Sequence, residues 1–308
     1  MAERPLLVTG AAGCIGAWIV ARLSQADREV VALDRSDDRR RLSLAMDEEA
    51  ARAVPWLSVD ISDAPALDDA VMRLRPAVII HLAALQIPFC AADPVAGATV
   101  NVAGHAALFE AARRTGVRHV VYASSVASLP AAGRQGPNTL YGVYKRANEG
   151  VAAIYWQDWQ VASIGVRPHT VYGPGRDQGM TSSPTKAMLA AARGQPYQIA
   201  YDTTMMMQHV HEVADAFIAC ADATVSGHHV CNLGGEKAST PEIAAIINRI
   251  VPGARISVAE TRIDLPLDQD DKALRALVGD WPSVPLENGI HRTISAFRDL
   301  AGRGLVTP

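Results

Sequence analysis

Short β-branched runs alternate with longer helical patterns through the first half of the chain, and this alternation limits the fold more than any other feature. Leu6–Thr9, Val30–Asp34, Leu57–Asp60, Val78–Leu82 and His119–Ala123 are predicted strands. Ile15–Ser24, Ala66–Leu74, Val100–Arg114 and Tyr141–Trp156 are predicted helices. Strand, helix and strand in this order predict βαβ units around a parallel sheet. The second half is less regular. A Gly/Pro-rich stretch, Tyr172–Gly179, breaks the pattern, and Ser183–Gly194 is predicted as an exposed helix after a loop. The segment Asp264–Val284 is rich in Asp, Leu and Pro, and a helix near Leu286–Leu300 closes the chain.

With 308 residues the chain can form one large domain or two modest ones sharing a core. Its net charge of -3 leaves no excess of positive charge for a phosphate backbone, so nucleic acid is not an expected partner. The apolar run at the N-terminus is short and ends in a Gly-rich turn. It is expected to be neither a signal peptide nor a spanning helix. Cys14, Cys90, Cys220 and Cys231 are scattered and form no CxxC, as expected for reduced thiols of a cytoplasmic protein.

Thr9-Gly10-Ala11-Ala12-Gly13-Cys14-Ile15-Gly16 follows a predicted strand and opens a predicted helix. Glycines so placed let the backbone turn tightly and approach a pyrophosphate, which the helix N-terminus favours. A structural Gly turn has the same look, so the motif needs support. Asp34 supplies it. The acid ends the next strand, where a carboxylate accepts from ribose hydroxyls and repels a 2′-phosphate. NAD is the expected cofactor. Arg35 and Arg39 to Arg41 offer a competing partner for a 2′-phosphate, and Asp34 could instead cap a turn.

Tyr141 and Lys145 stand four apart on a predicted helix and therefore share a face. A phenol ionises near pH ~10. A neighbouring ammonium and a positive nicotinamide ring favour the phenolate, giving an acid/base near neutrality. An amphipathic helix with a surface lysine would have the same spacing. Ser125, at the end of a predicted strand, can donate to a substrate oxygen where open α/β sheets bind ligands.

Together these motifs resemble the extended short-chain dehydrogenase/reductase family, the NAD-dependent epimerase/dehydratase group. Further matches are Val59–Asp63, His81–Ala84, Asn101–Gly104, Tyr122–Ser125, Arg167-Pro168, Val171–Gly175 and Trp281–Ile290. The resemblance implies an α/β fold: a Rossmann-type doubly wound parallel sheet with a smaller C-terminal substrate-binding part. Residues 1–173, with a returning segment near 207–235, would bind NAD; 174–206 and 236–308 would bind substrate.

By position, Gly10, Gly13, Cys14, Ile15 and Gly16 would meet the pyrophosphate. Asp34, with Arg35 beside it, would hold the adenosine ribose, and Asp60 and Ile61 the adenine. Leu82, Ala83, Ala84 and Ala123 would lie along the cofactor, and Pro168 and His169 would flank the nicotinamide. Tyr141 would be the acid/base, with Ser125 its partner. Lys145 would bind the nicotinamide ribose and lower the Tyr141 pKa. Gln86, Ser125 and Arg176 would touch substrate. In this family the equivalents of the helices at Val100–Arg114 and Tyr141–Trp156 pair across a two-fold axis, so a homodimer is expected.

Departures from the family pattern bear on the substrate. Val126 and Ala127 replace the acidic pair of the dehydratases. Thr170 stands where sugar-nucleotide epimerases usually carry Asn, and Met205-Met206-Met207 stand where they carry a phosphate-gripping Arg. The expected reaction is therefore oxidation of a hydroxyl on a small polyol, sugar or sugar acid, and the alternative is sugar-nucleotide epimerisation. His209, His211 and Glu212, and His228, His229 and Cys231, are weighed as metal ligands, but the family fit makes His209 a packing residue and His228-His229 the start of a strand, so no metal is expected. Trp156 and Trp159 are expected in a core or a dimer interface.

Overall fold

In the computed structural model, which describes residues 4–130, 133, 135–267 and 269–306, the first half runs as β1 (Leu6–Thr9), α1 (Cys14–Gln25), β2 (Val30–Asp34), α2 (Leu42–Ala45), α3 (Glu48–Ala53), β3 (Trp56–Ser58), α4 (Ala64–Leu74), β4 (Val78–His81), α5 (Ile87–Ala92), α6 (Pro94–Ala98), α7 (Gly104–Thr115) and β5 (His119–Ala123). The second half continues with α8 (Leu140–Trp159), β6 (Ser163–Arg167), β7 (Thr170–Tyr172), α9 (Ser183–Ala192), β8 (Tyr197–Ile199), β9 (Thr204–His209), α10 (Val210–Asp222), β10 (His228–Asn232), β11 (Glu236–Ser239), α11 (Thr240–Ile250), β12 (Ile256–Val258), α12 (Lys272–Val278) and α13 (Leu286–Gly302). Met1–Glu3 of the N-terminal run and Asp268 of the Asp-rich segment lie outside the described residues.

The main sheet has seven strands in the order β10-β6-β5-β4-β1-β2-β3. Every pairing in it is parallel. Successive side chains of a strand face opposite ways. Leu7, Ile79 and Val120 therefore pack with Leu67, Val71, Leu108 and Phe109 of α4 and α7. Their neighbours Val8, Ile80 and Val121 pack with Ile19, Val20, Val213 and Phe217 of α1 and α10. Both faces are covered, which makes the sheet a doubly wound Rossmann type. A separate apolar cluster unites Met188, Met205, Met207, Ile243, Ile247, Ile290 and Phe297. It includes strands of two small sheets, β11-β9-β7 and β12-β8.

Several boundaries differ from expectation. The strand predicted at Leu57–Asp60 is β3, which ends at Ser58. Asp60 lies beyond it in a turn, its Oδ1 accepting from the Ser62 amide at 2.8 Å and hydroxyl at 2.7 Å. β4 stops at His81, one residue early. The helix predicted from Val100 begins as a π-helical stretch at Thr99–Ala103, and α7 proper starts at Gly104. The helix at Ser183–Gly194 is not exposed. α9 buries Pro184, Ala187, Met188, Ala190 and Ala191, because it packs against α11 and α13. Among the described residues no helix is long and apolar enough to cross a membrane.

The strand order reverses between β1 and β4, so the connections after these strands diverge and leave a crevice at their carboxyl ends. Close contact behind that crevice depends on small residues. A Cβ on Gly165 of β6 would come within 2.5 Å of the Tyr122 ring. Tyr122 is fully buried and edge-on to His105 and Phe109, so it has nowhere to retreat. Gly165→Ala is expected to cost about 1–3 kcal/mol by overpacking, read as a lowered urea unfolding midpoint; an unchanged midpoint would show that the ring can move aside.

Candidate active site

β1 runs directly into the turn that starts the site. Gly10 has φ +72, a left-handed conformation that favours glycine. A Cβ there would sit 2.6 Å from the Ala83 amide nitrogen, and one on Gly16 would sit 2.3 Å from the Gly10 carbonyl oxygen. The two glycines thus let β1, α1 and the end of β4 close on one another. Gly13 caps α1 without a side-chain bond, so the first amides of the helix are donors for an anion.

The turn also orients the acid that follows β2. Asp34 Oδ2 accepts from the Ala12 amide at 3.0 Å, and Oδ1 accepts from the Arg35 amide at 2.8 Å. Burial pushes the Asp34 pKa up, opposed by those two bonds. Three of the four nearby arginines are already engaged. Arg39 bonds Asp37 and the carbonyls of Ala51, Arg52 and Val54, and lies 5.0 Å over the Trp56 ring. Arg40 pairs with Asp38. Arg41 donates to the carbonyls of Ala12 and Gly175 and to Asp177. Only Arg35 is left without an ion pair among the described residues at this end of the crevice.

Ser125 follows β5, and its Oγ accepts from the Ala127 amide at 3.1 Å. α8 starts beside that turn. A Cβ on Gly142 would lie 2.1 Å from the Ala127 carbonyl, so the glycine after Tyr141 permits the approach. It brings Tyr141 close enough to Ser125 for the serine to lower the phenol pKa. Lys145, one turn on, donates from Nζ to the Ala123 carbonyl at 2.6 Å and stands 5.6 Å from the centre of the Tyr141 ring.

Burial pushes Tyr141 up to about 12, against the pull of Arg176 and Ser125. Burial also brings Lys145 down to about 8, while Cys90 and Glu149 hold it up. The Lys145 ammonium is directed at the Ala123 carbonyl, and Arg176 is a further cation that favours the phenolate.

His169 Nε2 lies 2.8 Å from the Pro266 carbonyl oxygen. A carbonyl can only accept, so Nε2 carries the proton and Nδ1 accepts from the Thr170 hydroxyl at 3.1 Å. The bond draws 263–266 over the crevice. Opposite, Arg176 reaches Thr181 Oγ1 at 3.1 Å and Gln86 Oε1 at 3.4 Å. Its Nε is buried without a partner, and among the described residues no carboxylate pairs with it.

One cavity of about 830 Å³ collects all of this. It is lined by the glycines, Cys14 and Ile15 of the turn; by Asp34, Arg35, Asp60 and Ile61; and by Leu82, Ala83, Ala84 and Ala123. Ser125, Tyr141, Lys145, Pro168, His169, Gln86 and Arg176 complete the expected set. The sequence reading missed Asn138, Thr139, Thr181 and the stretch Ile263–Pro266, which also line it. No local motif marks 263–266, which His169 ties to the site through the Pro266 carbonyl. Arg41, expected as a partner for a phosphate, instead binds the GPG turn through the Gly175 carbonyl.

A model of the NAD dependent epimerase/dehydratase family matches residues 6–234. The chain belongs to that family. It is 32% identical to a UDP-glucose 4-epimerase of Mycolicibacterium smegmatis, covering 95% of this chain and 98% of the relative. The crystal structure of the Thermus thermophilus UDP-glucose 4-epimerase in complex with NAD superposes with a TM-score of 0.79 at 27% identity, over 96% of this chain and 99% of that one. A partial consensus L-threonine 3-dehydrogenase shares the fold, with a TM-score of 0.81 at 22% identity over 96% and 99%. This epimerase/dehydratase family member is an NAD-dependent enzyme. The oriented Asp34 and the uncapped start of α1 fit that cofactor.

The family member's other candidates fall elsewhere. β9 ends at His209, whose Nδ1 accepts from the His211 amide as the N-cap of α10, so the two imidazoles do not share a strand face. Among the described residues no group of three or more His, Cys, Asp or Glu could hold a metal ion. Met205 and Met207 are buried in the C-terminal cluster and do not line the cavity, because β9 is the middle strand of its sheet. Trp159 is exposed on α8, stacked on Tyr155 and Arg113. Since Asp34 is the acid oriented at the end of β2, Asp34→Ala should narrow the affinity gap between NAD and NADP. Calorimetry on both variants measures it, and a gap that stays as wide would transfer the discrimination to another residue.

Proposed function

We propose that the enzyme is a dehydrogenase that oxidises a hydroxyl of a small polyol, sugar or sugar acid. The observation that carries this reading is the substrate end of the cavity. It is bounded by Gln86, Arg176, Thr181 and 263–266, and among the described residues Arg176 is its one cation besides Lys145. A nucleoside diphosphate brings at least two negative charges and needs several donors. A single half-buried guanidinium matches one carboxylate or a cluster of hydroxyls.

In this reading Ser125 orients the substrate oxygen and Tyr141 accepts the hydroxyl proton as the C–H bond breaks. The bound NAD supplies the hydride acceptor at its nicotinamide. Lys145 holds the nicotinamide ribose, and Arg176 both grips the substrate and favours the phenolate. Residues 1–173 with 207–235 serve the cofactor, while 174–206 and 236–308 serve the substrate.

Sugar-nucleotide epimerisation is the second reading, favoured by the Mycolicibacterium relative. The deciding experiment follows NADH absorbance over free polyols, sugars, uronates and aldonates, with UDP and GDP binding measured by calorimetry in the presence of NAD. NADH formation without nucleotide binding is expected; micromolar affinity for either nucleotide would restore the epimerase. With the substrate so found, Tyr141→Phe should lower turnover by about 10²–10⁴-fold and leave NADH affinity nearly intact.

A homodimer belongs to the same proposal. Val143 and Ile154 are 48% and 47% exposed on α8, eleven residues apart and so on one face that a second copy would cover. Light scattering is expected to give twice the chain mass, and a clean monomer mass would reject the pairing.

A further inference from the structure

Behind Tyr141 and Lys145 lies a carboxylate that the proposed reaction does not use. Glu149 is buried on α8, one turn beyond Lys145 and two beyond Tyr141, so the three share a face. Its Oε1 accepts from Ser124 Oγ at 2.5 Å, Ser128 Oγ at 3.0 Å and Arg167 Nε at 2.7 Å, and its Oε2 accepts from Arg167 Nη2 at 2.6 Å. A carboxylate in a core needs such donors, since burying it unpaired is costly.

The donors are not scattered. Ser124 and Ser128 bracket the turn that carries Ser125. The Ser124 amide donates to the Val166 carbonyl at 2.7 Å, and the Val126 amide to the Pro168 carbonyl at 3.2 Å. Arg167 is the residue before Pro168 and reaches Asn232 of β10 at 3.5 Å. Lys145 is bonded to Ala123, the residue before Ser124. One side chain therefore joins the ends of β5 and β6, the Ser125 turn and the helix that bears the acid/base.

We propose that Glu149 is the positioning residue of this site: it pins the Ser125 turn against α8 and sets a negative charge one helical turn behind Lys145. The inference rests on the assignment of Tyr141, Lys145 and Ser125, and it is independent of which substrate is used.

The charge on Glu149 supports the second role. Burial pushes its pKa up, and the bonds from Arg167, Ser124 and Ser128 more than offset that, so it stays ionised. Lys145, brought down to about 8 by burial, is held up by Cys90 and Glu149. The other titratable groups facing the pair are His81, His105, Cys90, Tyr122, Tyr141 and His228. His81 is pushed down to about 3 and His105 well below its ordinary value, both chiefly by burial. Burial raises Cys90, Tyr122 and Tyr141. His228, near Glu149 from β10, is lowered by burial. Lys145 is thus the group that changes charge as pH rises through about 8, and removing the negative charge beside it moves that change to lower pH.

The test uses NADH, whose neutral ring does not repel the ammonium, and needs no substrate. NADH affinity is measured by fluorescence from pH 6 to 10 on the full chain. In the unmutated enzyme affinity should fall as Lys145 loses its proton and its charge-assisted bond to the ribose. Lys145→Met should abolish that fall; if it does not, the role given to Lys145 is wrong. Glu149→Gln should shift the fall down by about one pH unit, and Glu149→Asp, which keeps the charge, should restore its position.

If Glu149→Gln leaves Arg167 unpaired and the chain does not fold, the double variant E149Q/R167M removes both buried charges. It should show the same downward shift, because Arg167 is not among the groups acting on Lys145. A fall that stays in place when the charge is removed would overturn the proposal. So would an equal shift in the Asp and Gln variants, since that would be the mark of altered packing rather than charge.

Discussion

The site depends first on how closely three backbones approach. Gly10 and Gly16 allow the end of β1, the start of α1 and the end of β4 to meet at distances that a Cβ would forbid. That contact sets where the uncapped amides of α1 are directed and fixes Ala12, whose amide holds Asp34. The pyrophosphate turn and the ribose acid are one unit rather than two motifs. A side chain at Gly16 would displace the acid along with the helix.

A second group of bonds ties the cofactor side to the segments that close the crevice. Trp18 Nε1 donates to the Pro174 carbonyl at 2.9 Å, and Arg41 spans Ala12, Gly175 and Asp177. His169 holds Pro266. All but the Arg41–Asp177 pair are hydrogen bonds from a side chain to a distant backbone carbonyl. Arg176 sits between two such anchored points, Gly175 and Asp177. Its place beside Tyr141 follows from contacts made by residues that touch neither the phenol nor the substrate end.

Much of the Rossmann part was legible because its signals are local. β1, β2 and β5 coincide with their predicted ranges residue for residue, since each is a β-branched run bounded by a turn or by charge. The glycines, Asp34, Ser125, Tyr141 and Lys145 form sequence-adjacent patterns and meet in one cavity. The small strands β8, β9, β11 and β12 were not read as strands. Met205–Met207 looks like adaptable surface until β7 and β11 pair on either side of it. Glu149 was overlooked for a similar reason. In sequence it is one acid on a helix, and its significance comes from Ser124, Ser128 and Arg167, which only the folded sheet brings to it. Spacing reports that Lys145 is near Tyr141, but only the fold shows that its ammonium is directed at the Ala123 carbonyl.

Tyr141, Lys145 and Glu149 lie on one helix, where four residues span about 6 Å along the axis. The distances between proton carrier, ammonium and carboxylate are therefore properties of a rigid rod and owe nothing to the loops. Gln86, Arg176, Thr181 and 263–266, by contrast, stand on connecting segments, which tolerate exchange. Descent with modification can thus retarget such an enzyme by rewriting its loops while the reacting apparatus is inherited unaltered. One ancestral scaffold could in this way seed a lineage of catalysts that differ in diet but not in method.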